Sequence, residues 1–287
     1  SEFEQLRTQY ITGIESQRSE PQSVASRAST RHFNGHWPKG HPYYAATIEE
    51  ALEEIKGAKL ADVRDFHKAF YGAGNGEIAV VGDFDPAQVT ALMQQHFGDW
   101  TSAKAFERIP MPLVLAPTVE KMLETPDKAN AVIIQFGQFP LSDSHPDYAA
   151  LLVANNIFGG GGMKSRLGDR VRQTDGLSYS VGSGFNASIL DESASQQLFA
   201  IAAPENIAKV KQAFAEEMAR LVKDGVTEAE LKDAVDGLLK GRVLGRAEDG
   251  ALAGQLRSNL YNDRTLAWSA ELEAKMAALT KADVDAA

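Results

Sequence analysis

Arg172 and Tyr179 stand seven positions apart in the run GGGGMKSRLGDRVRQTDGLSYSVGSGF, residues 159–185. A guanidinium and a phenol are side chains that steady a developing oxyanion or grip an anionic group. The same run holds Arg166, Arg170, the pair Lys164–Ser165 and four consecutive glycines, Gly159, Gly160, Gly161 and Gly162. A phosphate-binding loop would need G-x-x-x-x-G-K-[ST] after a strand, so that backbone donors ring the phosphates. Met163 occupies the place of the glycine before the lysine, and the preceding YAALLVANNIF has helical character, so the pattern argues against a nucleotide site. Taken alone, four glycines make a turn between helices. Spacing alone favours an exposed arginine beside a half-buried strand tyrosine; the alternative is a guanidinium and a phenol sharing one cleft.

The other candidates are histidines. His32, His36 and His41 fall in what reads as one loop, HFNGHWPKGHPYY, and neutral imidazole is a common metal ligand. No H-x-x-H or H-x-x-x-H pair sits on a helix with an acid beside it, so solvated loop histidines are expected. His67, in VRDFHKAFY, and His96 read as helix-face or packing residues. The absence of cysteine excludes disulfides and thiolate metal sites.

These residues must be held by a sizeable scaffold. The chain has 287 residues, 44% of them apolar and 24% charged, a globular composition long enough for two domains. Its net charge of −10, with basic residues scattered among acids, argues against a nucleic-acid partner. No apolar run reaches the roughly 20 residues that span a bilayer. The polar start SEFEQLRTQYITG reads as mid-domain sequence, with a segment expected upstream.

Periodicity predicts two helices at the start, the second opened by Pro21. Helices follow at TIEEALEEI, with Thr47 and Glu50 in capping-box positions, and at LADVRDFHKAFY. GEIAVVGDF reads as a buried strand, and Asp85–Pro86 as the start of another helix. TSAKAFERIPMPLVLAP, with three prolines, reads as an interdomain connection. Beyond it come a strand at AVIIQFGQF, a helix ending at Gly159, a second helix at MKSRLGDRVRQ, two paired strands around ILDE, and a long helix from Pro204. Hairpin strands and grouped helices make the fold class α+β.

An internal repeat organises this order. At a constant offset of 228 residues, Glu2 meets Glu230, Phe3 meets Leu231, Ile11 meets Leu239, Glu20 meets Glu248 and Val24 meets Leu252. LADV at 60–63 meets KADV at 281–284 at an offset of 221, the difference falling in the His- and Pro-bearing loop where insertions cost little. Two copies of one domain are expected: residues 1–105 as the later part of a first copy, 106–117 as linker, and 118–287 as a second copy lacking its last strand.

GGGGMKSRLGDRVRQTDGLSYSV resembles the second-domain signature of the inverzincin metallopeptidases, the family of pitrilysin, insulinase and the mitochondrial processing peptidase. GDFDP at 82–86 and LADVRDFHKAFY are similar to that family's repeated domain, so the likeness covers nearly the whole chain. The resemblance implies repeated α+β domains, each a mainly antiparallel sheet with helices packed on one face, and paired halves enclosing unfolded peptide. Active members carry H-x-x-E-H on a helix and a later glutamate as third zinc ligand. No H-x-x-E-H occurs here, and in EQLRTQYITGI the ligand position is Gly13, which has no side chain.

The resemblance thus implies a non-catalytic half that is inactive alone, binds no metal, and serves a zinc endopeptidase whose zinc sits in a partner catalytic half. That partner would be on the same polypeptide or a neighbouring subunit. By the same resemblance Arg172 and Tyr179 contact the peptide and the tetrahedral intermediate, while Gly159–Gly162 let peptide approach the backbone. A scaffold subunit without catalysis is the alternative reading; an active two-domain subunit would require glutamate at Gly13. Expected partners are the catalytic half and a peptide, with no nucleic acid and no membrane. The resemblance and the lack of cysteine fit a periplasmic address, with the cytoplasm as the alternative.

Overall fold

Local signals start most of the helices. In the computed structural model, which describes residues 1–287, α1 (Glu2–Ser16) is followed by α2 (Pro21–Asn34), where Pro21 fills a first-turn position that needs no amide donor. α3 (Ile48–Gly57) begins at a complete capping box: the Glu50 amide donates to Thr47 Oγ1 at 3.1 Å and the Thr47 amide to Glu50 Oε2 at 2.9 Å. At the start of α4 (Leu60–Phe70) the Lys59 amide donates to Asp62 Oδ2 at 2.8 Å. Asp85 caps α5 (Pro86–Phe97) by accepting from the Ala87 and Gln88 amides.

Three expectations change. Residues 76–84 form no strand and make no backbone hydrogen bonds outside regular elements, because no other segment of the chain lies alongside to pair with them. Four apolar residues in a row suited a sheet centre, but a ladder needs a neighbour. His32 belongs to α2, which runs on to Asn34 and shortens the expected loop. The helix after β1 (Ala131–Phe139) does not stop at Gly159: α6 (Tyr148–Asn155) widens into a π-helical turn over Asn156–Gly160, and the left-handed glycine is Gly162, at φ +65°. MKSRLGDRVRQ begins with a 3₁₀ turn at Gly162–Lys164 and is largely π-helical from Gly168 to Thr174.

β2 (Ser178–Ala187) and β3 (Ala194–Ala202) form the expected hairpin, and β3 is central in an antiparallel sheet of order β1-β3-β2. Alternation puts Leu198, Ala200 and Ala202 of β3 on one face, with Ile133 and Val181 beside them. That face packs on Val210, Ala213 and Phe214 of α7 (Ile207–Asp224) and on Phe158, Leu167 and Val171. Burying a phenylalanine such as Phe214 contributes about 1.5–3 kcal/mol. On the opposite face, Phe33 of α2 meets Phe136 edge-on at 5.5 Å.

The C-terminal helices are α8 (Glu228–Ala247), α9 (Asp249–Tyr261), α10 (Leu266–Ala278) and α11 (Lys281–Ala286). At the offset of 228, α1 falls within α8, and Pro21 at the start of α2 falls on Asp249 at the start of α9. At 221, the Lys59–Asp62 cap of α4 falls on Thr280–Asp283, where the Thr280 amide donates to Asp283 Oδ2 at 2.8 Å. Residues 98–130, which include the expected linker, hold no helix or strand and are tied down by Arg108 Nη2, 2.5 Å from Asp191 Oδ1. No helix is long and apolar enough to cross a membrane.

The turn after α6 lies against β2 so closely that a Cβ on Gly159 would sit 2.5 Å from Ser183 Oγ and 2.7 Å from Ser183 N. Gly159→Ala is expected to lower stability in chemical denaturation by about 1–3 kcal/mol. Gly137→Ala in β1, where a Cβ would meet nothing within 4 Å, should change it by no more than about 0.5 kcal/mol.

Candidate functional site

Tyr179 owes its position to a break in the ladder. β2 pairs Ser178 with Ala202 and Ser180 with Ile201, so Tyr179 is the extra residue of a β-bulge. Ser178 holds the bulge from beneath: it is buried, and its Oγ lies 2.7 Å from both the Ser180 and Ile201 carbonyl oxygens. The phenol ring projects into solvent and is 81% exposed. The sequence, read by spacing, gave a half-buried tyrosine; the bulge is what turns the ring outward.

Arg172 comes from the π-helical stretch 168–174, which reverses into β2 through Gly176 at φ +62°. Its Cζ lies 5.6 Å from the centre of the Tyr179 ring, within cation–π range. The two side chains therefore do meet. Neither makes a hydrogen bond or ion pair elsewhere in the chain.

The neighbouring arginines are engaged. Arg166 is buried and donates from Nε to Glu230 Oε1 at 2.7 Å, and from Nη2 to Glu230 Oε2 and the Gly225 carbonyl, both at 2.8 Å. Glu230 also completes the capping box of α8, accepting from the Thr227 amide at 2.8 Å. The Arg166 guanidinium, then the Thr227 donors, draw the Glu230 pKa down to about 2 against the cost of burial. Arg170 donates from Nε to Asp175 at 2.6 Å and from Nη2 to Glu216 at 3.1 Å. Of the three arginines on this segment, Arg172 alone is uncommitted.

The glycines divide by role. Gly159 is buried against Ser183, whereas Gly160 and Gly162 are exposed and Gly161 is half-buried. Ser183 is itself held by Asn155, whose Oδ1 accepts from Ser183 Oγ at 2.7 Å and from Gln196 Nε2 at 2.9 Å. Asn155, Ser178 and Ser183 support the site without having drawn notice in the sequence. The small-residue alternation SYSVGSG was the available signal for Ser178 and Ser183.

The histidines pack with aromatic rings instead of converging. The rings of Trp37 and His41 stack at 4.0 Å, His36 lies 4.7 Å from Trp37, and His32 Nε2 sits 2.8 Å from the Pro117 carbonyl oxygen. His67 stacks on Tyr71 at 4.9 Å. A Cβ on Gly13 would meet nothing within 4 Å. No group of three or more His, Asp or Glu side chains is placed to hold a metal ion, so the donor set of this chain does not fit zinc.

A family model described as the Peptidase M16 inactive domain matches residues 58–238. The chain belongs to that family. Among curated proteins it is similar to one described as an uncharacterized zinc protease from Mycobacterium leprae, 28% identical over 228 residues, covering 79% of this chain and 49% of that protein. A second, named as the uncharacterized zinc protease YmxG of Bacillus subtilis, is 23% identical over 224 residues, covering 78% and 51%. The chain spans about half the length of these relatives. The fold is shared with the crystal structure of a peptidase M16 inactive domain from Pseudomonas fluorescens, with TM-score 0.76 and 24% identity over 99% of this chain and 66% of that one. It is shared too with a protease from Helicobacter pylori, with TM-score 0.78 and 18% identity over 99% and 67%.

Glu230 sets a pH dependence. Its folded pKa of about 2 lies below the model value of 4.5, so the unfolded state binds the extra proton first. The contribution is present above pH 4.5 and is lost as pH falls toward 2. Denaturation between those limits should show stability falling with pH, with a shallower fall in Glu230→Gln. At neutral pH that variant should lose about 2–4 kcal/mol, because the buried Arg166 charge is left without its carboxylate.

Proposed function

We propose that this chain is the substrate-binding, non-catalytic half of a zinc-dependent endopeptidase, built of two copies of one domain at 1–105 and 118–287 joined through 106–117. The observation that carries the reading is the pair Arg172–Tyr179: both side chains are exposed and in mutual contact, and neither is committed elsewhere. A phenol standing out from a bulge braced by Ser178 is a rigid donor, and a guanidinium beside it supplies positive charge toward a carbonyl that becomes anionic. Family membership and the zinc-protease descriptions of the relatives support the class of reaction.

The division of labour follows from the donor set. This half lacks H-x-x-E-H and a convergent ligand group, so water activation belongs to a metal-bearing half, on the same polypeptide or beside it. This half holds the peptide and polarises its carbonyl. The exposed Gly160 and Gly162 leave room for a peptide backbone next to the pair.

In the assembled peptidase, Tyr179→Phe should lower kcat by about 10²–10³-fold with little change in KM, the loss typical of one oxyanion donor. Unchanged turnover would remove the role. The chain alone, assayed with and without added zinc, should show neither chelator-sensitive cleavage nor stoichiometric metal binding; a zinc site within residues 1–30 would defeat the assignment.

A further inference from the structure

The internal repeat shows what is missing from one face of the molecule. In the second copy, Leu231 and Ala234 of α8, Leu272 and Met276 of α10, and Val284 of α11 are all buried. They share one core cluster with Ala149, Ala150 and Val153 of α6 and with Ile157 of the turn that follows it. α6 is thus the helix that covers α8, α10 and α11.

The counterparts in the first copy have no such cover. Ala234 falls on Leu6, Leu238 on Tyr10 and Val284 on Val63 at the two offsets; Leu6 is 52% exposed, Tyr10 60% and Val63 51%. Leu231 falls on Phe3 and Met276 on Ile55, both only half-buried. Close by in the chain, Ile78 and Val80 are exposed in the extended segment 76–84, whose backbone donors and acceptors pair with nothing. An apolar helical face and an unpaired extended segment together have the form of an open domain edge.

We propose that the face formed by α1, α3 and α4, with the extended segment 76–84, docks a β–α unit of the same repeat. Its helix, small and apolar like Ala149–Ile157, lies across Leu6, Tyr10 and Val63, and one of its strands pairs with Ile78–Val81. The source is a preceding part of the same polypeptide. Two observations support that source: the second copy carries its own covering helix in cis, and the curated relatives run to about twice the matched length, this chain covering 49% of one. The inference is independent of whether Arg172 and Tyr179 touch peptide.

Hydrogen exchange on the natural full-length polypeptide and on the 287-residue chain tests it. The amides of Ile78–Val81 should exchange at least about 100-fold more slowly in the longer protein, as expected for a ladder that opens only with its domain. Equal exchange, or a natural polypeptide with nothing ahead of Ser1, would overturn the proposal. Leu6→Asp and Val63→Asp should leave the unfolding midpoint of the 287-residue chain unchanged and lower that of the full-length protein or abolish its soluble expression; equal effects in both would also overturn it. Sedimentation of the 287-residue chain should show no association that depends on Leu6 and Val63. A dimer broken by those substitutions would assign the face to a second copy instead.

Discussion

The approach of the 156–160 turn to the edge of β2 is the constraint on which the rest of the site depends. Helix α6 enters that turn with its apolar side committed to the C-terminal helices, and its far end must pass over Ser183 at a distance that admits no side chain. Glycine at position 159 makes the contact possible. The π-helical widening lets the chain reach it without breaking the helix, and the left-handed Gly162 then reverses direction. Once the turn is seated, the segment carrying Arg166, Arg170 and Arg172 has one course open to it, along the start of β2. The clamp from Arg166 to Glu230 pins that course to α8 from the other side.

Rigidity beneath the site and freedom above it are complementary. Ser178, Ser183 and Asn155 use their polar groups on backbone and on one another. Arg166 and Arg170 use theirs on carboxylates. What remains exposed is a phenol and a guanidinium in contact, on a support in which polar groups are paired. A binding surface arranged in this way loses little side-chain entropy on engaging a ligand, and the bulge aims the donor without requiring a loop to close.

The two copies of the domain use the same helices for different ends. In the second, α8, α10 and α11 complete a core around α6; in the first, α1, α3 and α4 repeat the caps and the apolar stripe while leaving the stripe open. Salt bridges follow the same pattern, Arg18 to Glu49 between α1 and α3 and Arg246 to Glu273 between α8 and α10. Copies that share secondary structure so closely still differ in stability, because burial and not helix propensity supplies most of the free energy. The sheet and core of the second copy therefore carry the site.

Much of this was legible from residue order. Helix starts at Pro21, Thr47 and Asp85, the β2–β3 hairpin, the α+β class, the repeat and the family signature rest on local chemistry, and local chemistry is written in neighbouring residues. The strand expected at 76–84 was not formed, since pairing requires a partner that no local pattern supplies. The outward turn of Tyr179, the pairing that occupies Arg166 and Arg170, and the contact that demands glycine at 159 were likewise decided only in three dimensions. Each depends on groups far apart in the chain, such as Glu230 for Arg166 and Ser183 for Gly159, and distance in sequence carries no record of which side chains will meet.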